Sequence, residues 1–124
     1  MPKPALPPGL EDFVDLFNKG AFWEAHEALE PEWKRTRSDF YHGLILYASA
    51  WVHQDRGNPH GIQAQLAKAT PLLQEHTPGY LGVDVSGILD QGRDLAAGRP
   101  ARTPMIVTDL RLFAGDEPEL ESDD

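Results

Sequence analysis

The sequence contains no cysteine. That absence removes a disulfide framework, a thiolate zinc site and a cysteine nucleophile, so any metal would have to be held by histidine and carboxylate side chains. Long apolar runs are missing too. No window approaches the ~18 consecutive apolar residues of a membrane span, and the opening MPKPALPPG lacks the apolar stretch of a signal peptide. The expectation is a soluble, cytoplasmic protein with no membrane partner. Basic residues are scarce, 11 Lys and Arg against 20 Asp and Glu, for a net charge of −9. Nucleic-acid binding draws most of its affinity from Lys and Arg on phosphates, so no nucleic-acid partner is expected. Strand signals are nearly absent; only 105–107 reads as extended, a lone segment expected to lie over the fold rather than build a sheet.

What is present points to helices. A chain of 124 residues and 13.8 kDa is one domain's worth, and 40% hydrophobic residues, with three Trp, three Tyr and five Phe, suffice for one packed core. Residues 1–9, with Pro2, Pro4, Pro7, Pro8 and Gly9, read as an extended arm. The helical domain is expected over 10–98. A first helix uses Phe13, Leu16 and Phe17 and stops at Gly20, suited to a left-handed C′ position. A second over 21–35 should pack against it as an antiparallel hairpin, with Pro31 kinking or restarting it. Ser38 or Asp39 can cap a third helix over 40–56, whose apolar positions are numerous enough for the most buried element. After Gly57, Asn58 and Pro59 open a fourth helix with the seam Ile62, Leu66, Ala69 and Leu73, kinked at Pro71. Asp84 can cap a fifth that stops at Gly98. An extended segment over 99–113 and an acidic, disordered tail over 114–124 complete the chain. That tail holds six acids and no base, which leaves −3 on the rest. Lys34, Arg35 and Arg37 read as cations offsetting a helix macrodipole. The 34-residue tetratricopeptide pattern is missing. The fold class is therefore all-α, an irregular bundle of about five helices built from helical hairpins, with extended termini.

The chemistry is concentrated in 17–33, FNKGAFWEAHEALEPEW. As a helix it places Phe22, His26, Leu29, Glu30 and Trp33 on one stripe, so two ionisable groups sit among apolar neighbours and each needs a partner. That partner is either the other group or a metal. His26 and Glu30 give one nitrogen and one oxygen ligand to a divalent ion such as zinc, and a catalytic site needs about three protein ligands. On the third helix His42, Leu46, Ser49 and His53 share a face. Either His can complete the set but not both, because the helix separates them by about 16 Å. HEALE resembles HExxH with Glu27 as the base, yet the second His is replaced by Glu30, and the Glu-x-x-His spacing of di-iron bundles is absent. In the alternative, His26 and Glu30 hydrogen-bond each other and a neighbour such as Trp33, Tyr41 or Ser49, fixing the packing of helices two and three. His60 and His76 read as surface or cap residues, and Trp23, about 100° off the stripe, as core packing. Gly43 permits close helix approach, under Trp33 or Trp23.

Three pieces, FNKGAFWEAHEALEPEW, YHGLILYASAWVHQDRGNPHG and YLGVDVSGILD, resemble the domain-of-unknown-function 309 family over roughly 13–90. The resemblance implies a small all-helical fold, and the family's His-x-x-x-Glu-x-x-Trp signature is matched by His26, Glu30 and Trp33. It implies candidate metal binding without an established activity. Helix three departs from the family pattern at His42 and Leu46, where Gln is usual, while a His is kept at His53, which makes His53 the preferred third ligand. The resulting expectation is a metal- or small-molecule-binding helical domain with His26, Glu30 and His53 on the metal and Trp33, Tyr41, His42 and Ser49 lining the pocket. Its rival is a non-catalytic interaction module in which His26 and Glu30 form a structural polar network. A homodimer is compatible with either.

Overall fold

The computed structural model describes residues 6–109. In chain order they form α1 (Pro8–Asn18), α2 (Phe22–Thr36), α3 (Asp39–Asp55), α4 (Pro59–Gln74), β1 (Gly79–Tyr80), β2 (Val83–Asp84) and α5 (Val85–Ala96). Part of the expected arm and the whole of the tail lie outside the described residues.

Local signals set the helix ends. Proline at the first position of α1 loses no hydrogen bond, since that N–H has no helical acceptor, and α1 accordingly starts at Pro8, before the expected residue 10. Ser38, Asn58 and Asp84 cap α3, α4 and α5 by accepting from the backbone N–H of Tyr41, Gly61 and Gly87. The stops at Gly20, Gly57 and Gly98 share one construction. Each glycine has positive φ, its N–H bonds the carbonyl three residues back, and the next N–H reaches back five, as in Ala21 to Leu16 at 2.9 Å. This is the Schellman motif, which needs a residue without a Cβ penalty. α2 ends differently. Arg37 takes the left-handed conformation at φ 57°, and its guanidinium lies 5.0 Å from the Trp33 ring centroid.

The restart held open for α2 at Pro31 does not occur: α2 and α4 each run as a single helix through Pro31 and Pro71, and both proline side chains are exposed. The strand expectation is also corrected. β1 and β2 pair Gly79 with Asp84 and Tyr80 with Val83 across a two-residue turn with φ 49° at Leu81 and 83° at Gly82. Two successive positive φ values match the twist of a hairpin, and Leu81 is held there by its own burial in the core. Residues 107–109 join this hairpin rather than lying alone: Val83 bridges Thr108, Asp84 N–H donates to the Val107 carbonyl at 2.9 Å, and Asp109 N–H donates to the Gly82 carbonyl at 2.8 Å.

The helices follow one another antiparallel. Trp33 meets His42 beside the α2–α3 turn and Phe22 meets Trp51 at the far end; Gln63 of α4 donates to the Ala96 carbonyl at the end of α5. α3 is central, burying Phe40, Tyr41, Leu44, Tyr47, Ala48 and Trp51 among others. Gly43 does permit a close approach, but to α4 rather than to a tryptophan of α2: a Cβ there would stand 2.9 Å from Leu73 Cγ.

Candidate functional site

α2 buries Phe22, Ala25 and Leu29. The true core seam therefore lies to one side of the expected stripe, and His26, Glu30 and Trp33 sit along its edge. His26 Nε2 is 3.6 Å from Glu30 Oε2, with side chains 19% and 38% exposed. That separation is beyond hydrogen-bond length, and an i, i+4 pair this open contributes only about 0.3–0.5 kcal/mol. The other ring nitrogen, Nδ1, is buried with no partner. The His26 ring stacks on Trp23 at 5.1 Å. Trp23 is not core, as expected, but 48% exposed, with Arg56 over its ring at 5.9 Å.

His53 is not brought to this pair. It closes the α3–α4 corner, where the Asn58 side chain accepts from Gly61 N–H through Oδ1 and donates to His53 Nδ1 at 3.2 Å through Nδ2; a Cβ at Gly61 would collide with the imidazole. His42 stacks on Trp33 at 4.6 Å. Tyr41 is buried inside α3 and Ser49 is half-buried. Among the described residues no three His, Asp or Glu are grouped to hold an ion, so His26, Glu30 and His53 are not gathered into one set here. The physical reason is the antiparallel packing: the end of α3 that carries His53 turns its imidazole into the α3–α4 corner, away from α2. His76 is more than a surface cap: Nδ1 is 3.0 Å from the Leu72 carbonyl, and the ring lies 5.2 Å from Phe40 and 4.5 Å from Tyr80.

Two further buried polar atoms have no hydrogen-bond partner, Tyr47 Oη and Trp51 Nε1. Burial pushes the Tyr47 phenol well above its ordinary value; the neighbouring Trp51 indole offsets this in part, although neither atom has a partner in hydrogen-bond geometry.

A concave feature among the described residues lies elsewhere. A cleft of about 540 Å³ lies between the α1–α2 turn (Asn18, Lys19, Gly20), Phe22, the end of α3 (Trp51, Gln54, Asp55) and residues 100–104. The last stretch is a strap, and two primary amides pin the chain just beyond it. Gln91 donates to the Met105 carbonyl at 2.7 Å and accepts from its N–H at 3.1 Å; Asn18 does the same to Ile106 at 3.1 and 2.7 Å. Sequence reasoning missed this site. Phe22 and Trp51 read only as apolar, and the only hint of a strap is the pair Pro100 and Pro104 bracketing three residues without a helical or strand pattern.

Fold and site together define a small all-helical domain with one histidine–carboxylate pair at the edge of a helix seam and a strapped cleft at one end of the bundle. Within that class, residues 10–64 match the model of DUF309, a domain of unknown function. The match covers most of α1, all of α2 and α3 and the start of α4, to residue 64; α5 and the strap lie beyond it. No curated protein matches the chain. No helix among the described residues is long and apolar enough to cross a membrane.

Proposed function

We propose that this chain is a non-catalytic, small-molecule-binding helical domain whose ligand occupies the strapped cleft, with the His26–Glu30 pair serving only to brace α2. The cleft itself carries this reading. Its volume of about 540 Å³ lies within the ~300–1,000 Å³ of small-molecule sites, and it joins an aromatic floor, Phe22 and Trp51, to a few polar groups, the mixture such sites use for affinity and orientation. The His26–Glu30 pair lies outside the lining of the cleft, and among the described residues it is not part of a group of three metal-ligating side chains.

The test is a thermal-shift screen with amino acids, carboxylates, amines and nucleosides against the wild type, Thr103→Trp, which fills the cleft from the strap, and Glu30→Ala. At least one compound class should raise the wild-type Tm by several degrees, as saturating a ligand site does in a domain of this size. Glu30→Ala should respond equally and Thr103→Trp should not. A response retained in Thr103→Trp, or no response to any class, defeats the proposal.

A further inference from the structure

The charged groups around the cleft specify more than its size. Lys19 follows the last turn of α1, Asp55 ends α3, and Arg102 sits on the strap. Among the described residues none of the three is in an ion pair, whereas Glu32, Asp90 and Asp94 each have an arginine at 4.0 Å or less. Two cations and one anion thus line a cleft whose inner wall includes Phe22 and Trp51, with no ion pair among the three. Among the described residues no backbone or side-chain hydrogen bond is made by the strap between Arg99, whose N–H donates to Asp94, and the pinned Met105, and Arg102 is exposed on it.

We infer that the cleft takes a small zwitterion of the α-amino-acid type with an apolar side chain. Its carboxylate meets Lys19 and Arg102, its ammonium meets Asp55, and its side chain lies on Phe22 and Trp51. A plain carboxylate would leave Asp55 facing the ligand without a counter-charge, and a plain amine would face two like charges, so only a molecule carrying both signs matches all three groups. This assignment rests on the cleft being the binding site.

Three compounds that share one apolar body test it: phenylalanine, 3-phenylpropionate and phenethylamine. Each is titrated into the full chain, with dissociation constants read from backbone amide shifts of residues 18–22, 51–55 and 99–106. Phenylalanine should bind about fivefold more tightly than 3-phenylpropionate, the discrimination one half-exposed ion pair provides, and phenethylamine should bind most weakly. Asp55→Asn should bring phenylalanine and 3-phenylpropionate to equal affinity. Lys19→Gln and Arg102→Gln should weaken both of those and strengthen phenethylamine relative to them. Asp55→Asn is an exposed isosteric change, so its spectrum away from the cleft should be unaltered. Equal wild-type affinity for the three compounds, or tighter binding of 3-phenylpropionate, overturns the zwitterion while leaving the cleft as a site. Shifts that persist in Thr103→Trp remove the cleft reading as well.

Discussion

Tyr47 lies 1% exposed, stacked on Phe17 at 5.5 Å, with its hydroxyl buried and unpartnered. Burial disfavours the phenolate. The stability gained by keeping the group neutral is therefore complete below the unfolded value of about 10 and declines as pH rises beyond it. Tyr47→Phe should leave stability at pH 7 unchanged or raise it by up to about 1 kcal/mol, because a buried hydroxyl without a partner costs roughly that much. It should also flatten the alkaline decline. Urea melts of both proteins at pH 7 and near pH 10.5 measure this, and a loss above about 1 kcal/mol at pH 7 would show that the hydroxyl is bonded. The histidines show how much of a site single residues make legible. The i, i+4 spacing of His26 and Glu30 correctly makes them neighbours, since that distance is fixed within one helix. Their burial does not follow from spacing, because a stripe of ionisable and apolar residues can meet the core along either edge. Trp23, on the neighbouring face, is stacked by His26 and Arg56 instead of buried.

At the scale of elements, helix ends were the most legible feature. Gly20, Gly57 and Gly98 stop helices, and Ser38, Asn58 and Asp84 start them, because those interactions close within about five residues of chain. Which helices approach one another is a different matter. Gly43 signals a close crossing, but only the packing shows that Leu72 and Leu73 of α4 fill the space. Gly43→Ala sets two effects against each other. Alanine gains about 1 kcal/mol of helix propensity, whereas the new methyl would stand 2.9 Å from Leu73, which is itself 1% exposed and has little room to shift; overpacking of this kind costs about 1–3 kcal/mol. A net loss of about 1 kcal/mol is expected in chemical denaturation, and a stabilised variant would mean that the α3–α4 contact yields readily. The β1–β2 hairpin escaped the sequence reading because its strands have two residues each and its turn uses Leu81, a residue that rarely takes positive φ.

On the scale of the whole molecule, residues 105–109 tie the end of the fold to its beginning. Ile106 is buried, and its backbone is held at both N–H and carbonyl by Asn18. Ile106→Ala should therefore cost about 2–4 kcal/mol and lower the single unfolding transition seen by circular dichroism and tryptophan fluorescence together. A loss below about 1 kcal/mol, or two separated transitions, would show that the segment does not belong to the cooperative unit. Local sequence signals were enough for the number of helices, the caps at Asn58 and Asp84, the stops at Gly20, Gly57 and Gly98 and the burial of α3, because each depends on residues within a few turns of chain. How the segments come together in space needed the packing itself. His53 was turned into the α3–α4 corner, and the cleft was assembled from residues near 20, 50 and 100, since closeness between segments so distant in sequence is fixed by how the helices pack and by two amide clamps that no local pattern encodes.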